Sequence, residues 1–290
     1  MLNRVAFVAL SLSYSSLLFG AQPPVDNIPI IDAHTHVEFG SSTEAERVKV
    51  AAFDRQRQAA GVVAAISMLH TDTGVIPANG IKNVVYCAGI HEKPNLTSLE
   101  AGLREGRYGC IKIYTGYIHM YAADPAFSPV YRLAAKYDVP VIFHTGDTSS
   151  RLAKLKYADP LTIDEVATDN PDVTFVIAHC GNPWIESAAE VAYKNPNVYL
   201  DGSAFLIGDL SKIPLGQVNE YLVKPLEWIF GYVEDPTKLM FGTDWPLVDV
   251  PTYLAAFKRA IPQRYWGKVF HDNAVSVFRL QRYGILPLSK

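Results

Sequence analysis

The chain has 290 residues, of which 49% are hydrophobic and 19% charged, and its net charge is −3. That balance is globular rather than disordered or fibrous, and it lacks the basic excess that a nucleic-acid partner requires. The length suits one large domain.

At the N-terminus, Arg4 precedes an uncharged run from Val5 to Gly20, with the small residues Gly20 and Ala21 after it. A positive start, an apolar centre and a small-residue cleavage point form the pattern of a secretory signal peptide. The run is short of the about 20 residues that span a bilayer. The expectation is an exported protein, periplasmic or secreted, with residues 1–21 removed. Residues 22–290 are then one domain without a membrane span.

Eight apolar or β-branched runs follow in chain order: Ile28–Val37, Val62–His70, Asn83–Ile90, Cys110–Tyr117, Val141–Thr145, Thr174–Cys180, Val198–Ala204 and Leu239–Trp245. Helix-like stretches separate them at Thr43–Ala60, Ser98–Arg107, Pro129–Tyr137, Thr162–Thr168, Trp184–Lys194, Gln217–Phe230 and Tyr253–Ala260. The connection Thr71–Lys82 holds Gly74, Pro77 and Gly80, which predict little or no helix there. Strands alternating with helices imply βαβ units and a parallel sheet, and eight units imply an α/β protein of the (β/α)8 TIM-barrel type. The tail Arg264–Tyr283 reads as extra C-terminal helices. No G-x-G-x-x-G follows the first strand, which argues against a dinucleotide site. Cys87, Cys110 and Cys180 all lie inside strand-like runs, and an odd count in such places reads as three small buried side chains rather than disulfides.

The chemistry sits at the ends of the strands. The first run contains IIDAHTH, whose His34 and His36 are two residues apart and so share a face of a strand. VIFHTGD ends the fifth run at His144, FVIAHCGNPW ends the sixth at His179, and LMFGTDWP ends the eighth at Asp244. In a (β/α)8 barrel these C-terminal ends converge on one mouth, where active sites lie. Imidazoles and a carboxylate converging there are a metal site. His70 and His91 also end strands and could line the mouth, although polar strand ends are common. His271, in the tail, reads as structural. Lys112 alternates with Ile111 and Ile113 in CIKIYTGY; if the isoleucines face the helices, Lys112 faces the barrel interior. Lysine is almost never buried unpaired, so it should pair with a carboxylate, hold an anionic substrate, or carry a carbamate that bridges a second metal. The loop Tyr114–Ser128, with Tyr117, His119, Met120, Tyr121 and Phe127, is placed to shape a pocket. The basic cluster Arg151–Lys156 reads as a solvated face, with Arg151 a possible substrate contact.

DAHTH, FHTGD, AHCGNPW and FGTDWP, in this order, make the chain similar to the amidohydrolase superfamily, in particular to its amidohydrolase 2 branch, which contains aminocarboxymuconate-semialdehyde decarboxylase. The similarity extends from about Pro29 to the end. The resemblance implies a distorted barrel and one divalent ion, usually Zn2+, on His34, His36, His144 and Asp244. It implies that His179 stands close to the ion, either supporting its ligands or acting as a catalytic residue. In binuclear relatives a carbamylated lysine on the fourth strand bridges two metals and His179 would become a ligand, which Lys112 leaves open, although the branch resembled is usually mononuclear. The implied chemistry is hydrolysis of a small-molecule carbonyl compound, a cyclic amide, lactone or ester, by metal-acidified water, with Asp244 and His179 moving the proton. Lys112, Tyr114, His119 and Arg151 are the expected substrate contacts. One alternative is nonhydrolytic decarboxylation of a small carboxylic acid. The other is a periplasmic ligand-binding barrel without chemistry, disfavoured because no expected site residue is missing. A homo-oligomer is compatible with the sequence.

Overall fold

The computed structural model describes residues 28–37, 44–70 and 82–288. The expected signal peptide and residues 71–81 of the second connection lie outside the described residues. All eight apolar runs form strands: β1 Ile30–Thr35, β2 Val62–Met68, β3 Val84–Ile90, β4 Cys110–Ile113, β5 Val141–Phe143, β6 Phe175–Ile177, β7 Val198–Asp201 and β8 Leu239–Met240. They lie side by side in chain order, each parallel to the next. Backbone bonds continue the ladder from β8 back to β1: Ala33 N–H donates to Phe241 O at 2.9 Å and His36 N–H to Trp245 O at 2.7 Å. The result is a TIM barrel. Several strands are shorter than their sequence runs because the polar ends turn out of the ladder. β6 stops at Ile177, and His179 and Cys180 take left-handed φ values of 57° and 44°.

Two apolar layers follow from the pleat. Ile31, Ala64, Ile66, Cys87, Cys110, Ile142, Val176 and Met240 pack in an inner cluster. An outer cluster joins Ile111, Ile113, Phe143 and Phe175 to helix residues such as Leu99, Val130 and Ile229. The helices lie where the sequence places them, and some carry side-chain caps at their starts. Asn95 accepts from Ser98 N–H at the start of Leu96–Arg104, and Asp249 accepts from Thr252 N–H at the start of Val250–Ala260. The expected helix Gln217–Phe230 is helical from Leu215 to Val233 but widens to π geometry over Asn219–Val223, just before Pro225, which has no N–H to donate. The tail forms short helical segments, and its Ala274, Val275, Val277, Phe278 and Leu280 belong to the inner cluster. Arg279 and Arg282 clamp this tail to Asp138 at 2.9 and 2.7 Å.

One expectation fails. Cys87 and Cys110 are disulfide-bonded, and Cys180 is the free, buried thiol. β3 and β4 place Cys87 directly opposite Cys110, with Cα atoms 4.3 Å apart. The odd count concealed the pair, because cross-strand register is not visible in a cysteine tally. Among the described residues, no helix is long and apolar enough to cross a membrane.

Candidate metal centre

Asp32 fastens β1 to the segment after β8. Its carboxylate accepts from Thr243 N–H at 2.9 Å, Thr243 Oγ at 2.6 Å and His34 N–H at 3.2 Å. Burial pushes its pKa up to about 7 against those bonds. Asp244 follows with φ 66°, and its N–H donates to His34 O at 2.7 Å. That backbone path sets Asp244 Oδ1 3.1 Å from His36 Nε2 and 3.6 Å from His34 Nε2. The three offered atoms all lie within 4.8 Å of one another.

Hydrogen counting shows what these groups present. His34 Nδ1 lies 3.0 Å from Asp201 Oδ2, which can only accept while ionised. His36 Nδ1 lies 3.1 Å from the Met68 carbonyl. His144 Nε2 lies 2.9 Å from the Asp147 carbonyl. Each of these ring nitrogens must therefore donate. In the neutral ring the opposite nitrogen is then a bare electron pair: His34 Nε2, His36 Nε2 and His144 Nδ1. His34 Nε2 and Asp244 Oδ1 are buried without a hydrogen-bond partner among the described residues. The 3.1 Å approach of His36 to Asp244 is thus one electron pair facing another, which a cation between them would relieve. This donor set, imidazole nitrogens plus carboxylate oxygen, suits a borderline divalent ion.

Electrostatics favour the same protonation states. Burial lowers the pKa of His36. Burial, then His179, holds His144 well below the usual imidazole range. Burial and the neighbouring His34 bring His179 down to about 4. Burial would raise Asp244; a bond from His36 and positive charge on His34 and His179 would outweigh it and hold the carboxyl well below its usual range, a part that falls to a cation when these rings are neutral.

His144 stands at the edge of this group, its Nδ1 3.2 Å from His179 Nε2. Gly146 makes the approach possible. It has φ +84°, and a Cβ there would meet Asn182 O at 2.2 Å. The loops after β5 and β6 touch at that point, where Asp147 N–H donates to Asn182 O at 2.9 Å.

Lys112 is fully buried. Its neighbours Ile111 and Ile113 pack in the outer layer, so strand alternation turns Lys112 inward. Its Nζ has no hydrogen-bond partner among the described residues and lies 5.4 Å from the Tyr114 ring. Burial lowers its pKa to about 8, opposed by Asp201 and Asp244. Aromatic rings continue outward: Tyr114 stacks on His70 at 5.4 Å and His70 on His36 at 5.2 Å, while Tyr117 meets His144 edge-on at 5.1 Å. His70 and Tyr114 therefore border the site. His119 is tied to a neighbouring loop, its Nε2 2.8 Å from Leu152 O, and the adjoining Arg151 is exposed. His91 is exposed, and His271 is buried beside Asp272 at 3.1 Å.

Two residues escaped the sequence reading. Asp201 and Ser203 lie in VYLDGSA at the end of β7 and are fully buried against His34 and His179. A polar pair closing an apolar run was the available signal, but it carries neither histidine nor cysteine. His34, His179 and Asp201 also form a group compact enough for an ion. Asp201 accepts from His34, from the backbone N–H groups of His179 and Ser203, and from Ser203 Oγ, so its electron pairs are already engaged.

The amidohydrolase family model matches residues 42–280. The chain belongs to the amidohydrolase family. Family members are metal-dependent hydrolases and decarboxylases, and the chain is an enzyme of that kind. The match begins after β1, so the place of His34 and His36 in this amidohydrolase rests on geometry. No curated protein sequence matches the chain. Among solved structures it is similar to an uncharacterised TIM-barrel protein from Bordetella bronchiseptica, at 19% identity over 86% of this chain and 98% of that one, with TM-score 0.63. A probable 2-pyrone-4,6-dicarboxylic acid hydrolase from Acinetobacter baumannii, with citric acid bound, matches at 15% over 87% and 99%, TM-score 0.60. A 5-carboxyvanillate decarboxylase from Novosphingobium aromaticivorans, complexed with manganese, matches at 14% over 87% and 96%, TM-score 0.58. These likenesses establish the fold.

Proposed function

We propose that this amidohydrolase hydrolyses a small carbonyl compound, a cyclic amide, lactone or ester, with one divalent ion held by His34, His36, His144 and Asp244. The carrying observation is the convergence of His34 Nε2, His36 Nε2 and Asp244 Oδ1, two of them buried without a hydrogen-bond partner among the described residues. A divalent ion there supplies Lewis acidity towards a carbonyl and acidifies water. Asp244, ionised even though buried, offers an acceptor for the proton released. His179, a neutral ring beside the centre, takes that proton from Asp244 and returns it to the leaving group. Tyr114 walls the pocket, and His119 and Arg151 meet substrate further out. Zinc fits a set of imidazoles with one carboxylate; the manganese in one structural neighbour makes that ion the competitor.

Lys112 supports a second reading. A buried ammonium with no hydrogen-bonded anion among the described residues can orient a substrate carboxylate, as nonhydrolytic decarboxylation requires. The neighbours include both a hydrolase and decarboxylases. The test is elemental analysis of the purified chain followed by assay of the zinc-loaded and manganese-loaded forms on lactones, cyclic amides, esters and aromatic acids. One metal per chain and metal-dependent ring opening are expected. Carbon dioxide release without hydrolysis would select the second reading, and two metals per chain would point to a Lys112 carbamate.

Export is part of the proposal. The Arg4–Ala21 pattern supports it, and so does the Cys87–Cys110 bond, because disulfides persist mainly in oxidising compartments.

A further inference from the structure

The Asp201 carboxylate accepts four hydrogen bonds among the described residues. Oδ2 takes His34 Nδ1–H at 3.0 Å. Oδ1 takes the backbone N–H of His179 at 3.1 Å, the backbone N–H of Ser203 at 3.2 Å, and the Ser203 hydroxyl at 2.5 Å. Ser203 Oγ also lies 2.8 Å from His179 Nδ1. A serine hydroxyl has one hydrogen. Ser203 gives it to the carboxylate, so towards His179 it can only accept, and His179 Nδ1 must carry the hydrogen. The reverse tautomer would set an Oγ electron pair against the carboxylate at 2.5 Å. Neutral His179 therefore has a bare Nε2, the atom that lies 3.2 Å from His144 Nδ1.

We propose that Asp201 is a positioning residue for both imidazoles, directly for His34 and through the Ser203 hydroxyl for His179, fixing each as the Nδ1–H tautomer with Nε2 free for the centre. A second observation is independent of the hydrogen count. His179 has left-handed backbone with φ 57°, a strained position for a non-glycine residue. The bond from its own N–H to Asp201 helps hold it there. One carboxylate thus sets the backbone of His179, its tautomer and the tautomer of His34. The purpose assigned to these tautomers rests on the metal reading above; the tautomers themselves do not.

The test uses the full-length, metal-free chain with 15N-labelled histidine, observed by NMR at about pH 8, above the ordinary imidazole pKa of about 6.5. In wild type, His34 and His179 should both show hydrogen on Nδ1. Ser203→Ala should move His179 to the Nε2–H form or to a mixture and leave His34 unchanged, while Ser203→Thr, which keeps the hydroxyl, should restore the wild-type signature. Zinc affinity, read by chelator competition, should fall roughly 10–100-fold in Asp201→Asn. Hydrogen on Nε2 of His179 in wild type, or an unchanged His179 in Ser203→Ala, overturns the proposal. So does unaltered zinc affinity in Asp201→Asn. Should Asp201→Asn fail to fold, the two Ser203 variants still decide. A wild type with the expected tautomers that takes up no zinc upholds the tautomer assignment and overturns the metal reading instead.

Discussion

Burying the Lys112 ammonium without a hydrogen-bond partner among the described residues disfavours its charged form, and its pKa falls from 10.5 to about 8. At about 1.4 kcal/mol per pKa unit, the charged state costs about 3 kcal/mol below that pH. Because the folded pKa is the lower one, the unfolded chain binds more protons between pH 8 and 10.5, and stability recovers as pH rises through that window. Lys112→Met should therefore stabilise the metal-free chain at neutral pH, with the gain shrinking towards pH 10.5. Paired denaturant melts across that range check this, and a gain independent of pH would contradict it. At Asp244 the expected effect is on turnover. Asp244→Asn keeps the shape and one donor oxygen, so it should retain metal yet lose roughly 10²–10⁴ in kcat. His144→Ala should lose metal affinity first and regain part of its activity under excess zinc. Metal content and kcat measured on both variants separate the roles, and near wild-type turnover in a metal-loaded Asp244→Asn would transfer the acceptor role to His179.

The elements show what was legible and what was not. The strand ends carrying His34, His36, His144, His179 and Asp244 could be read because each sits where an apolar run stops, and a barrel brings such ends together. Asp201 and Ser203 could not be assigned, since their role depends on facing His34 and His179 across 167 and 24 residues of chain. The Cys87–Cys110 bond likewise depends on cross-strand register. The β5–β6 junction was equally hidden. FHTGD reads as a motif around His144, yet its glycine is required because of Asn182, two loops away in sequence. Gly146→Ala should strain a left-handed position and drive a Cβ into Asn182 O, costing roughly 1–3 kcal/mol from the backbone alone, with the clash added. The loops would part, so the variant should lose zinc affinity together with stability. Thermal melts and chelator competition read the two effects, and an unaffected metal site would mean that the junction does not position His144.

For the whole molecule, export and the inner disulfide make a joint prediction. Protein recovered from the native envelope or medium should begin near Gln22. When unfolded without reductant it should label at Cys180 alone, and at all three cysteines after reduction. A cytosolic chain beginning at Met1 with three reactive thiols would remove the export reading. The fold adds a condition on how such a chain is made. Ala274, Val275, Val277, Phe278 and Leu280 share the inner cluster with Ile31 and Ile66 of the first two strands. The floor of the barrel is thus laid by segments more than two hundred residues apart. During synthesis the first strands emerge long before their cover, and the nascent chain has no complete interior to close around. A polypeptide threaded through a translocon must stay open in the same way, so if the chain is exported as proposed, an architecture that completes its core last suits that route.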